Sequence, residues 1–209
     1  MTKSRSNNVV SIKKAVKADT GSAREKIIDA LVALITEQGF VAATNRRVAE
    51  WAEVSQSTVQ YHFSTKARMF EAVLQRCHAE FLQLVDNDAL LSGRLEARAN
   101  LFVVLSWRHY QSALYLATIE ILMATRSQRE IVTLTQLTDH QAVEQRQRIR
   151  EIFPECQLDD RALAEVLTST HVFLTGLTVE TILEPKLVNI GGYLRRCTRA
   201  MVVMLKTPV

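Results

Sequence analysis

The chain has 209 residues, 47% of them apolar, with six Gly, three Pro and a formal net charge of +4. That is enough apolar material for a substantial core in one or two compact units. The scarcity of Gly and Pro, beside abundant Leu, Ala, Glu, Gln and Arg, predicts an all-α protein. No apolar run approaches the length of a membrane span and no leader with an apolar centre is visible, so neither a membrane protein nor a secreted one is expected. Cys77, Cys156 and Cys197 are odd in number and scattered, which suits a reducing cytoplasm. They fit small core hydrophobes better than a redox sensor.

The positive charge is unevenly placed. Residues 1–66 hold ten Lys/Arg against six Asp/Glu, while residues 67–209 are balanced at sixteen of each. Residues 1–21 carry Lys3, Arg5, Lys13, Lys14 and Lys17 against the single acid Asp19 and read as a disordered basic arm. Such an arm either follows phosphates or a minor groove, or contributes nothing.

A first helix starts at Ser22, where Ser-Ala-Arg-Glu25 matches a capping box. Its apolar stripe of Ile27, Ile28, Leu31, Leu34 and Ile35 stops at Gly39. Thr44 is placed to cap a short helix over about residues 45–52, with Val48, Ala49 and Ala52 on its inner side. Ser55 is placed to cap a second, whose buried edge is Val59 and Phe63. The rest of that helix is polar: Gln56, Ser57, Thr58, Gln60, Tyr61 and His62. Two short helices of this kind joined by a tight turn form a helix-turn-helix that reads DNA in the major groove. Gln can pair with adenine, the Thr methyl can meet the thymine methyl, and Tyr or His can bond phosphate oxygens. Arg46 and Arg47 open the first helix of the pair near a passing backbone, and Lys66 opens the following helix as a point charge for phosphate. Residues 22–66 therefore form a DNA-binding domain, with Thr44 and Ser55 among its contacts.

This stretch resembles the DNA-binding domain of the TetR-like (tetracycline-repressor) family of bacterial transcription regulators. Gly39-Phe40, Thr44, Val48-Ala49, Ala52, Val54-Ser55, Thr58, Tyr61-His62-Phe63 and Lys66 follow the family's order and spacing. There are two departures. Glu53 stands at the usual turn glycine, where the backbone favours Gly, and Gln60 replaces the usual tyrosine, exchanging a phosphate contact for a potential base contact. The strong likeness covers about residues 24–74.

Residues 67–209 read as a helical ligand-binding and dimerisation domain. Phe70, Val73, Leu74, Cys77, Phe81, Leu84 and Val85 make one long stripe, so this helix links the DNA-binding unit to the remainder. Helices are predicted at about 94–107 and 110–125, then from the capping box at Ser127 to Phe153, stopped by Pro154. In the last two helices Leu163, Leu167, Thr170, Leu174 and Leu177, then Leu187, Ile190, Leu194, Cys197 and Met201, repeat at three and four. Such seams fit a homodimer interface or packing inside one chain. The resemblance implies the former, a two-fold dimer through the last two helices, and with it a near-palindromic operator in double-stranded DNA.

The resemblance also implies a pocket among the middle helices, for an unidentified small-molecule inducer that shifts the two reading heads. Phe102, Trp107, Tyr110, Tyr115, Glu120, Met123, His140, His171 and Glu180 are its candidate lining, although aromatics at helical spacing are equally plain core. No cofactor is expected. His140 and Glu144 are too few for a metal site. Nor is there a Gly-rich phosphate loop, a Cys-pair metal spacing or a nucleophile elbow, and Cys77 and His78 point to different helix faces. The expected protein is thus a repressor and not an enzyme. The alternative is a dimeric DNA-binding regulator without a small ligand, controlled by a protein partner or by abundance.

Overall fold

The computed structural model describes residues 22–126, 143–186 and 189–207. The basic arm, the capping box at Ser127, His140 and Leu187 lie outside the described residues. Among the described residues all regular structure is helical. The elements are α1 (Ala23–Gln38), α2 (Asn45–Trp51), α3 (Gln56–His62), α4 (Lys66–Val85), α5 (Leu95–Tyr110), α6 (Ala113–Thr125), α7 (described over 143–152), α8 (Asp160–Leu183) and α9 (Ile190–Lys206).

Local chemistry fixes the ends of these helices. Ser22, Thr44, Ser55, Thr65, Ser112 and Asp159 each accept a backbone N–H from the first turn of the helix that follows. Ser112 separates α5 from α6, two to three residues later than helical spacing alone predicts. Between α2 and α3 the chain turns through Glu53 at φ 55°, a left-handed conformation that glycine adopts more freely. Gly39, at φ 81°, ends α1 and leads into a single 3-10 turn at Phe40–Ala42.

One continuous core runs from Ile27 on α1 to Leu205 on α9. α1 packs on α2, α3, α4 and α6; α4 packs on α5 and α6; α5 and α8 pack on α9. Arg76 on α4 reinforces the first of these junctions, reaching Asp29 and Glu25 on α1 as well as Glu80 one turn along. On the far side Arg98 is buried against Glu155 and the Phe153 ring, and Lys206 pairs with Glu96 at 2.7 Å.

Two expectations need correction here. The heptad seams of α8 and α9 do not form an outward face. Leu163, Thr170, Leu174, Leu177, Cys197 and Met201 are buried inside the chain, and Leu167, Ile190 and Leu194 are half-buried against the same core. A three-four spacing identifies the face a helix must bury, not the partner that covers it. The apolar side chains left outside are instead Val172, Val179, Ile182 and Leu183 on α8 and Tyr193 and Val203 on α9. Their presence explains the second correction: α8 is apolar on both faces, so over its 24 residues it is long and apolar enough to cross a membrane by length and composition. It is nevertheless packed on α5 and α9, with Leu174 fully buried.

Candidate nucleic-acid interface

The inner side of α3 is one residue deep. Val59 is fully buried and the following Phe63 nearly so, and these anchor α3 against α1 and α2. Everything else on the helix faces away from the core or lies at its edge. Gln56, Ser57, Gln60 and Tyr61 are exposed, Tyr61 to 85%, and Thr58 and His62 are half-buried. A tyrosine projecting that far from a well-packed helix contributes nothing to the core, and with Gln56, Ser57 and Gln60 it forms a continuous outward ridge.

The hydroxyls at the start of α3 are already bonded to one another. Ser55 Oγ accepts the Thr58 N–H at 3.0 Å and lies 2.7 Å from both Ser57 Oγ and Thr58 Oγ1. Gln60 Nε2 donates to Ser64 O at 2.9 Å, so one amide hydrogen steadies the α3–α4 turn. Gln56 and Tyr61 are the longest side chains of the ridge with no such tie to the backbone.

The flanking cations are arranged around this ridge, each with an intramolecular partner. Arg46 bonds Glu50 at 2.8 Å along α2, and Arg47 bonds Gln38 at the end of α1. Thr44 Oγ1 accepts the Arg47 N–H at 3.3 Å, so its hydroxyl serves as the α2 cap. Lys66 does open α4, but its ammonium lies over two rings, 4.7 Å from the centre of Phe40 and 5.4 Å from that of Phe70. Partial burial there lowers its pKa below the usual lysine range. It is a half-buried cation held by aromatic faces, less extended than a free phosphate clamp.

Residues 27–73, from α1 into α4, match the sequence model described as bacterial regulatory proteins, tetR family. The likeness to that family in sequence is carried by this segment. The fold agrees along nearly the whole chain. A transcriptional regulator from Rhodococcus sp. Rha1 superposes with a TM-score of 0.66 at 21% identity, covering 88% of this chain and 96% of the other. The multidrug binding protein EbrR, solved with imidazole, gives 0.62 at 17% identity over 87% and 96%. SmeT, solved with triclosan, gives 0.58 at 19% identity over 88% and 90%. No curated protein sequence matches the chain significantly. The chain thus shares the fold of these proteins, an N-terminal helix-turn-helix followed by a helical body.

In the helical body the candidate lining separates into three groups. Tyr110, Tyr115 and His171 come together: the two tyrosine rings are 4.3 Å apart, and Tyr110 OH is 2.5 Å from His171 Nδ1. Phe102 and Trp107 are buried on α5, Phe102 edge-on to Phe81 and Phe153. Met123 is 58% exposed and Glu180 is exposed on α8, so neither lines an enclosed space in a single chain. Glu144 sits 3.4 Å from His78 on α4.

Sequence reasoning missed part of the cluster. His109 Nε2 is 3.4 Å from Cys77 Sγ, its ring packs 5.4 Å from Phe81 and 5.5 Å from Tyr115, and Tyr115 OH bonds Thr175 at 2.7 Å. Burial holds His109, Cys77, Tyr110 and Tyr115 neutral, while His171 lies at the exposed edge of the group. The same burial pushes His109 down to about 4, the Cys77 thiol up to about 11 and Tyr115 up to about 12. A thiol so far from ionisation is a poor nucleophile and fits the core role expected of it. These partners lie thirty to sixty residues apart in the chain, and no local spacing announces them.

Glu120 is the other relocation. It does not face the aromatic cluster; its carboxylate accepts the Phe40 N–H at 2.5 Å, across the junction between α6 and the DNA-binding helices. Gly39 leads into Phe40 at φ 81°, a conformation that disfavours any other residue, and a Cβ there would be in van der Waals contact with Glu120 Oε1 at 3.4 Å. Helix α6 thus carries Tyr115 in the buried cluster and, five residues on, a carboxylate holding the turn that supports Lys66 and α2.

Proposed function

We propose that the protein is a homodimeric, ligand-responsive repressor of the cytoplasm, which binds a near-palindromic operator in double-stranded DNA and leaves it when a small molecule occupies the body. The observation that carries the DNA half is the outward ridge of α3, whose two longest free side chains, Gln56 and Tyr61, are exposed and have no structural duty. Thr44, Arg46, Arg47, Ser55, Gln56, Ser57, Thr58, Gln60, Tyr61, His62 and Lys66 remain its contact set, with Arg46, Arg47 and Lys66 at the rim. A single such helix covers few base pairs, so two heads about 34–36 Å apart supply the specificity.

For the dimer, the support is the apolar band of Val172, Val179, Ile182 and Leu183 beside Tyr193 and Val203. Large apolar side chains grouped on one side of a chain mark an interaction surface. A second copy laid on it would produce the isologous four-helix contact that two-fold symmetry requires. Sedimentation of the wild type against Val179→Asp tests this, with a shift from dimer to monomer expected.

For the ligand, the support is the cluster of His109, Tyr110, Tyr115 and His171, an apolar setting with a few hydrogen-bonding groups. EbrR with imidazole and SmeT with triclosan are relatives in fold whose structures hold small aromatic molecules. A ligand there acts only if it favours one arrangement of α6 over another, and the Glu120–Phe40 bond gives α6 a direct grip on the head. Screening metabolites for thermal stabilisation tests the reading, since a ligand at a hundred times its Kd adds about 2.7 kcal/mol. The close stacking of Tyr110 and Tyr115 favours the second reading, a regulator with no small ligand, controlled by a protein partner or by abundance. No stabilising compound, with operator binding intact, would select it.

A further inference from the structure

The ridge that faces DNA has an unusual composition for a reading surface: it contains no charged side chain. Guanine is most often recognised by an Arg or Lys fork on its O6 and N7, adenine by the amide of Asn or Gln on N6 and N7, and thymine by apolar contact with its methyl group. On α3 the residues available for such work are Gln56, Ser57 and Tyr61, with Gln60 drawn back to Ser64 O. The neighbouring cations are turned to other duties. Arg46 is on Glu50, Arg47 on Gln38, Arg68 on Glu71 and Lys66 on the Phe40 and Phe70 rings, while Arg24 lies over the Phe63 ring. These arginines and this lysine surround α3 where backbone phosphates pass, at its sides and not along its ridge. A helix entering a major groove presents its N-terminal residues to the base edges, and here those are Gln56 and Ser57.

We infer that α3 reads A·T pairs, with the Gln56 amide bidentate on an adenine and the Tyr61 ring against a thymine methyl, so that each operator half-site is A·T at the pairs this helix touches. The inference rests on the operator reading above and deepens it by naming the base class. Sequence preference then comes from one amide and one apolar ring, and the surrounding cations set register without choosing bases.

The test is selection of duplexes from a random pool by the full-length protein, repeated with Gln56→Ala, Gln56→Lys and Tyr61→Ala. Gln56 and Tyr61 lie outside the core, and a thermal melt of each variant checks that the fold is intact. The wild type is expected to enrich an inverted repeat with adenine at one position per half-site. In Gln56→Ala that preference flattens by about ten- to a hundredfold while other positions hold, and in Gln56→Lys it moves toward guanine. Tyr61→Ala flattens a different, thymine position. Guanine enriched by the wild type at the Gln56-dependent position, or a preference that Gln56→Ala leaves unchanged, overturns the base assignment while the operator reading stands. If no sequence is enriched at all, the operator reading fails and the assignment falls with it.

Discussion

The head and the body of this molecule treat their polar side chains in opposite ways. In the head, α3 keeps Val59 and Phe63 inside and sends Gln56, Ser57 and Tyr61 out. In the body, His109, Tyr110, Tyr115 and Cys77 are turned inward and bonded to groups on other helices. Exposed polar groups without structural partners are free to bind, and altering them leaves stability nearly untouched. Buried polar groups are bound into the fold, and altering them disturbs stability first and function through it.

The contrast can be broken most forcefully in the body. Phe102→Ala removes a buried ring at the meeting point of Phe81 and Phe153, and urea unfolding is expected to register a loss of about 3–5 kcal/mol. A change below about 1 kcal/mol would mean that this part of the body is loosely packed.

Acid provides the second challenge. His109 is held neutral in the fold down to about 4, whereas an unfolded histidine titrates near 6.5. Between these values the unfolded chain binds more protons, so stability is full above about pH 6.5 and falls as the pH drops toward 4. The expected contribution of this one group is about 3 kcal/mol, and His109→Gln should flatten the profile. An unchanged profile in that variant would place the acid sensitivity elsewhere.

A smaller effect is expected where the two regions meet. Glu120→Ala removes the acceptor of the Phe40 N–H, and a loss of about 1.5–3 kcal/mol is expected from a hydrogen bond to a charged group at this half-buried site. Glu120→Gln, which keeps an acceptor, should recover part of it. The smallest change is in the turn between α2 and α3. Glu53→Gly relieves a left-handed residue and is expected to raise stability by about 0.5–1 kcal/mol. A destabilised Glu53→Gly would mean that the glutamate side chain holds the turn.

The same contrast explains what could be read from the sequence. The head was legible because its logic is local. Caps, a two-residue buried edge and a polar remainder all lie within residues 44–66, and the cost of Glu53 at a glycine position was visible as a departure. In the body the helices were legible but their partners were not. Tyr110 meets His171, Phe40 meets Glu120 and Cys77 meets His109 only through the packing of helices distant in sequence. The α8 and α9 seams were recognised as faces to be buried, yet periodicity carries no information about whether the same chain or another covers them.

The central claim is that Gln56 and Tyr61, on the outward ridge of α3, bind DNA and take no part in holding the fold together. Its most direct test is the affinity of Tyr61→Ala for a duplex taken from the region upstream of its own coding sequence, measured by fluorescence anisotropy beside its thermal melt. The account predicts affinity reduced by about tenfold or more, the equivalent of losing roughly 1.4 kcal/mol or more, with a melting temperature within about 2 °C of the wild type. Unchanged affinity at an unchanged melting temperature, on DNA that the wild type binds, would contradict it.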